Sequence, residues 1–299
     1  VDEHGPSETP SPPGHAATVV LLRERAPEGL QVYLLERHRG NRFLGGVHVF
    51  PGGKLDPEDE APGTADLAVG RTPEQAAAIL GEEAETAPAR ALGLFIAGLR
   101  ETFEEAGILL ARPERTRRRS ADVGQVTSPD ARSDLRRRLL DGGEPFPRVV
   151  AEAGLRLPVD ALVPHARWIT PAGEPRRYDT RFFVAEVPSD AGEGSADQRE
   201  TTHGGWWSPA AALAAEARRE IALAPPTLRT LELLLLAGTA AVFFRDFCPV
   251  PPPRIEPVLF NRGGIPTLLF PGDSAHPQPR RPWPGPTRLV LLDGRWVAA

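Results

Sequence analysis

A chain of 299 residues with 40% hydrophobic and 25% charged content suits one large globular domain with extensions, or two small ones. Its formal net charge of -5 excludes a general nucleic-acid binder. Its single cysteine, Cys248, excludes an intrachain disulfide framework and fits a reducing, cytoplasmic setting.

Residues 1–14 are polar and Pro-rich, with no secretory pattern, and read as a flexible tail. Apolar runs at 16–23 and 31–37, separated by Glu-Arg-Ala-Pro-Glu-Gly, predict a β-hairpin. Residues 47–50 predict a short strand running into the Gly52-Gly53 turn, where missing side chains let the backbone approach a ligand. Thr72-Pro-Glu-Gln is a capping box with Pro at the first helical position, and Gly81 is the stop. A second helix is predicted from Pro88 to Glu105, ending at Gly107. Its stripe of Leu92, Phe95, Ile96, Leu99 and Phe103 should pack, leaving an open acidic edge. Ser128-Pro129 opens a helix that Arg136, Arg137 and Arg138 end, where cations suit the helix dipole. Strands are expected at 165–170 and 181–187, and Ser208 should cap a helix after Trp206 and Trp207. The longest apolar run, 231–244, contains Glu232, Gly238 and Thr239, is too short to span a bilayer, and reads as one buried helix. Beyond Cys248 the chain becomes Pro-rich with short strands, and Asp293-Gly294 is a hairpin-turn signal.

The chemistry concentrates in residues 100–108, Arg-Glu-Thr-Phe-Glu-Glu-Ala-Gly-Ile. Helical spacing puts Glu101, Glu104 and Glu105 within about a turn of one another. Packed acids without counter-charge repel, and such a cluster suits a hard divalent cation serving phosphate chemistry. A solvated acidic helix face is the plain alternative.

With Gly53 upstream, this segment resembles the Nudix box: Gly, five residues, Glu, seven residues, then Arg-Glu-hydrophobic-x-Glu-Glu-x-Gly-hydrophobic. The chain departs from that pattern in three places. Asp59 replaces the first Glu, Thr102 fills an aliphatic position, and Arg100 arrives 33 residues after position 67, where the ungapped pattern puts it. The resemblance implies an α/β Nudix fold, an α/β/α sandwich with a mixed β-sheet. Residues 15–247 would form the domain, with a helical insertion at about 54–87, and 248–299 a Pro-rich β extension packing on it. It also implies hydrolysis of a nucleoside diphosphate linked to another group, with Mg2+ or Mn2+ held by Glu101, Glu104 and Glu105. Arg100 would hold the box together, Gly52 and Gly53 would admit the substrate, and Asp59 would stand in as the partner of Arg100. Glu200 is the late candidate for the general base, with an exposed loop acid as the alternative. His48, His165 and His203 read as packing or surface residues.

The Phe-Pro-Gly-Gly turn, the long insertion, Trp168-Ile-Thr-Pro, Tyr178-Asp-Thr-Arg-Phe-Phe and Gly205-Trp-Trp-Ser-Pro resemble the acyl-coenzyme A diphosphatases, whose box is likewise interrupted. That likeness implies cleavage of coenzyme A to 3′,5′-ADP and 4′-phosphopantetheine. Residues 112–148 carry 10 basic and 6 acidic residues, and Arg115 and Arg117 there are candidates for a substrate phosphate; a solvated basic face is the alternative. An ADP-ribose, dinucleotide or nucleotide-sugar pyrophosphatase, and a non-catalytic nucleotide sensor, are the competing functions. The expected partner is a small nucleotide, with no nucleic acid and no membrane. The insertion stays open as a lid, a substrate wall or a dimer contact, and with the last a homodimer.

Overall fold

Strand β1 (Gly14–Arg25) is the axis of the molecule. Val19 and Leu21 enter one apolar core and Val20 and Leu22 the other, all four without exposed surface. Burial on both faces is why this stretch reads as an unbroken apolar run rather than an alternation. The computed structural model describes residues 12–38, 40, 45–82, 86–114, 128–188 and 193–299. The tail expected at 1–14 lies outside the described residues as far as residue 11, as do Arg115 and Arg117.

β2 (Gly29–Arg37) returns antiparallel to β1, pairing Val32 with Leu22. β3 (Val47–Val49) pairs with β2, and β4 (Gly52–Lys54) folds back onto β1 with Gly53 opposite Ala17. A 3-10 turn at Pro57–Glu60, α1 (Pro62–Ala65), β5 (Ala68–Val69) and α2 (Pro73–Leu80) follow. The start of α2 is the expected capping box: Thr72 Oγ1 accepts from the Gln75 N–H at 3.2 Å, and Gln75 Oε1 from the Thr72 N–H at 3.0 Å. Gly81, at φ 68, ends it.

The insertion is bolted to the sheet. Arg181, fully buried, donates to both carboxylate oxygens of buried Glu82 at 3.0 and 2.5 Å. α3 (Pro88–Ala106) ends at Gly107, φ 66, as its sequence predicts. Its acidic edge is not open, however. Residues 91–100 are all buried, Glu105 is 5% exposed, and Glu101 and Glu104 are half-buried. The Pro57–Glu60 turn and β4 lie along that edge, so closely that a Cβ on Gly93 would meet the Asp59 carbonyl oxygen at 3.2 Å. Periodicity reports the strongest apolar face of a helix and says nothing of polar neighbours that cover the rest.

β6 (Arg112–Pro113), α4 (Pro129–Leu140), α5 (Phe146–Glu152) and β7 (Leu155–Pro158) continue this layer. β8 (Val163–Ile169) and β9 (Tyr178–Glu186) follow, β9 running parallel to β1 with Phe182 opposite Thr18. β10 (Thr201–Trp207) pairs with β2 and leads into α6 (Pro209–Ala217), where Ser208 Oγ accepts from the Ala211 N–H at 3.1 Å. Beyond β11 (Ala222–Leu223), the run expected to be one helix is two, α7 (Pro225–Ala237) and α8 (Ala240–Phe247), bent by 114°. Gly238 breaks it at φ 72, and Thr239 Oγ1 starts the new helix by accepting from the Val242 N–H at 3.3 Å. Leu235 and Leu236, in the run expected to be buried, are exposed.

β12 (Arg254–Ile255) closes one sheet edge; β13 (Val258–Arg262), β14 (Ile265–Leu269), β15 (Arg288–Leu292) and β16 (Arg295–Ala298) form a separate antiparallel sheet. Asp293 and Gly294, at φ 50 and 79, make the expected tight turn. The main sheet runs β11-β3-β2-β1-β9-β8-β12, with β10 on β2 and β4 on β1, in mixed parallel and antiparallel pairings. Helices α2 to α5 supply the core on one face, and α6 to α8 with Leu268, Phe270, Trp283 and Leu289 supply it on the other. This is an α/β/α sandwich.

His165 sits in that second core without exposed surface, stacked on Trp283 at 4.7 Å, its Nδ1 donating to the Phe247 carbonyl at 2.7 Å. Burial lowers its pKa from the ordinary 6.5 to about 4. Unfolded chains therefore take up a proton that the native state refuses. The stabilisation is complete above the unfolded value and is lost as pH falls toward 4, at about 1.4 kcal/mol per pH unit. His165→Phe should flatten that acid limb. Urea unfolding from pH 7 down to 4.5 measures it, and equal slopes for the two proteins would contradict this account.

Candidate active site

The site begins at the glycine turn. A Cβ on Gly52 would lie 2.5 Å from the Ala17 carbonyl oxygen, and one on Gly53 would lie 2.3 Å from Glu101 Oε1, so glycine at 52 lets the turn pack on β1 and glycine at 53 lets the Glu101 side chain lie against it. The Gly52 N–H donates to Glu105 Oε2 at 2.9 Å, tying β4 to the last turn of α3.

Arg100 is the hub. Its Nε and Nη2 donate to the two oxygens of Asp59 at 3.1 and 2.9 Å, a bidentate pair in which Asp59 is 2% exposed. Nη2 also donates to the Lys54 carbonyl at 2.9 Å, and Nη1 to Glu101 and Glu104 at 2.9 and 3.0 Å. Asp59 thus braces Arg100 from the start of the insertion, the place the displaced box assigns it. Thr102 is accommodated as well: fully buried, its hydroxyl donates to the Gly98 carbonyl at 2.7 Å.

Arg100 faces more acids than it can compensate. Burial raises the Glu101 pKa to about 7 against the pull of Arg100, with Glu104 adding repulsion. Burial also raises Glu104, again opposed by Arg100. Glu105 is pushed well above the ordinary carboxylate range, by burial first and by Glu101 second. Oxygen donors in this condition fit a hard divalent cation, which would supply the missing compensation. In the structure Arg100 holds two of the three, and no three acidic, His or Cys side chains among the described residues converge into a cage.

Glu200 comes to the same place from a distant segment, close enough for its charge to raise both Glu101 and Glu105. The Asp197 carboxylate organises its loop, accepting from the N–H groups of Arg199, Glu200 and Thr201 at 3.0, 3.1 and 2.8 Å. The Glu200 carbonyl accepts from the His38 N–H at 2.8 Å.

Two arginines escaped the sequence reading. Arg37 continues the alternation of Tyr33 and Leu35 along β2 onto the face that α3 covers, and its charge acts on Glu105. Its Nε is buried without a hydrogen-bond partner. The period-two pattern of that strand is the signal that would have found it. Arg136 reaches the backbone of Glu104 and Glu105 from α4, and no local pattern marks it. The histidines behave as expected: His203 pairs with Glu36 at 3.2 Å, His48 lies edge-on to Trp207, and His165 belongs to the far core.

A glycine turn, a carboxylate-braced arginine and a glutamate helix on an α/β/α sandwich place this chain among the Nudix hydrolases, to which it belongs. The family model that matches is the NUDT19 Nudix domain, over residues 14–234. The chain is similar to the acyl-coenzyme A diphosphatase NUDT19 of Gallus gallus, 27% identical over 302 residues covering 88% of this chain and 79% of that one. It is 30% identical to the Homo sapiens enzyme of the same name over 269 residues, 81% of this chain and 68% of that one. Among solved structures it resembles a Nudix hydrolase from Alicyclobacillus acidocaldarius, with a TM-score of 0.61 at 28% identity, covering 78% of this chain and 96% of that one.

Gly53→Ala should displace Glu101, a flexible side chain, and so reduce activity about tenfold or more with little change in melting temperature. Asp59→Ala should do the reverse of that in stability, destabilising the fold by about 3 kcal/mol or more because Arg100 is left buried without its main partner. Thermal unfolding and turnover of both variants, side by side, check the division.

Proposed function

We propose that the protein hydrolyses the pyrophosphate of coenzyme A or its thioesters, giving 3′,5′-ADP and (acyl-)4′-phosphopantetheine, in a reaction dependent on Mg2+ or Mn2+. The observation that carries this reading is the interrupted box drawn closed by Asp59 and Arg100, in a chain that aligns over 88% of its length with a relative named an acyl-coenzyme A diphosphatase.

The geometry supports the following assignment of roles. Glu101, Glu104 and Glu105 are the proposed metal ligands. A divalent cation, when bound, supplies charge neutralisation for the phosphoryl oxygens and acidifies water. Gly52 and Gly53 keep the turn free of side chains where the phosphates approach. Arg100 fixes turn and helix relative to each other. Arg37, with an unspent buried donor beside Glu105, is placed to take a phosphate oxygen. Glu200 accepts the proton of the attacking water as the water oxygen bonds to one phosphorus and the bridging P–O bond to it breaks. The bridging oxygen leaves with the other phosphorus, Glu200 gives up its proton to solvent, and the products are two phosphate monoesters. Arg115 and Arg117 remain the sequence-based candidates for the 3′-phosphate.

Mg2+-dependent release of 3′,5′-ADP from coenzyme A should exceed release of AMP from ADP-ribose or NADH in a panel assay. Faster AMP release would move the protein to the competing pyrophosphatase reading. Glu104→Gln and Glu105→Gln should each lower kcat about 100-fold or more with folding intact, since an amide keeps the shape and removes the anionic donor. Full turnover in both would remove the metal-site assignment, and no turnover of any substrate by the unaltered protein would favour a nucleotide sensor.

A further inference from the structure

The acidic helix ends against a guanidinium that belongs to neither half of the box. Arg136, on α4, donates from Nε and Nη2 to the Glu104 carbonyl at 3.0 and 2.6 Å, and from Nη2 to the Glu105 carbonyl at 2.9 Å. Its Nη1 donates to Ser195 Oγ at 2.8 Å. Gly107 makes room for it, since a Cβ there would lie 2.9 Å from Nη1. The Ser195 N–H adds a second tie, donating to the Ala106 carbonyl at 2.9 Å.

Ser195 opens the loop that delivers Glu200, and the far part of that loop returns to α4. Arg199 donates to the Leu140 carbonyl and, at 2.7 Å, to Asp141 Oδ1. Helix α4 therefore holds the loop at two points, and Arg136 joins one of them to the glutamate helix. A cation that merely capped a helix C-terminus would need only the two carbonyls and contribute roughly 0.3–1 kcal/mol. The bond to Ser195 is not part of that role. Arg23 and Arg25, which bind Glu193, hold only the other side of the loop.

We propose that Arg136 is a positioning residue: it sets the end of the glutamate helix and the Glu200 loop in one fixed relation, so that the Glu200 carboxylate faces the water bound for the phosphate. The proposal rests on Glu200 being the general base of the reaction proposed above. Loss of that relation should appear in the chemical step and leave ground-state binding alone, because the Arg136 donors are taken up by backbone carbonyls and Ser195.

The test is a double-mutant cycle on kcat with coenzyme A and Mg2+, using Arg136→Met, Glu200→Gln and the pair. Arg136→Met is expected to lower kcat about 10- to 100-fold with KM within about twofold, and the double variant to be no slower than Glu200→Gln alone. Arg137→Met, altering a neighbouring exposed arginine that bonds Asp134, should keep wild-type kcat. Should Arg136→Met not fold, Arg136→Lys takes its place, because an ammonium cannot reach three acceptors in the guanidinium's geometry and should show the same non-additive loss. Wild-type kcat in the Arg136 variant, a loss carried by KM, or losses that multiply in the double variant would each overturn the proposal. Full activity in Glu200→Gln would instead overturn the general-base reading on which it rests, so the two failures are told apart.

Discussion

Everything at this site depends on one guanidinium. Arg100 spends its donors on Asp59, Lys54, Glu101 and Glu104, and in doing so joins two pieces of chain separated by about forty positions. Loop-closure entropy grows only with the logarithm of length, about 0.6 kcal/mol per doubling, so an insertion between the two pieces is thermodynamically cheap if its ends still meet. Here they do, because Asp59 lies before the added segment's helices and Arg100 after them. The insertion also repays its own ordering: Leu67, Ala76, Ala77 and Leu80 enter the core beside α3, and Glu82 closes on Arg181.

The same hub is deliberately insufficient as a counter-charge. Asp56, at 3.6 Å, adds to the acids it already faces. Burial holds Glu101, Glu104 and Glu105 above the ordinary carboxylate range, so ionising the cluster costs free energy in the protein alone. A site of this kind is stable as a fold and uncomfortable as an electrostatic assembly, and a bound cation would remove the discomfort. Local strain of that sort is common where function, not stability, selects the residues.

The legible parts of the sequence were those governed by near neighbours. Thr72 to Gly81 declares a helix with both ends marked, Gly107 declares the end of α3, and the acids at helical spacing mark the candidate site. The illegible parts were decided by contacts across the fold. Glu105 has the spacing of a surface residue and is buried because β4 crosses it. Gly238 and Thr239 looked tolerable inside a helix and instead split it, since Thr239 offers the next helix a better start. Arg136 reads as a dipole-favouring cation on its own helix and serves another helix altogether. Residue spacing shows what a segment can do, while the partner that makes it do so is named only by the fold.

The central place of β1 has a consequence for how the chain is made. The strand leaves the ribosome about 160 residues ahead of its parallel partner β9, a separation of on the order of ten seconds of synthesis. Its second face waits longer still, for Trp283 and Leu289, which complete the core cluster that Val20 and Leu22 enter. Until then the strand has β2, β4 and α3 but neither its parallel neighbour nor the cover of its second face. Pairings of such long range slow folding and prolong the exposure of sticky surface. This architecture therefore places its demand for chaperone protection in the interval between the synthesis of β1 and that of β9, on a strand that the finished protein buries on both faces.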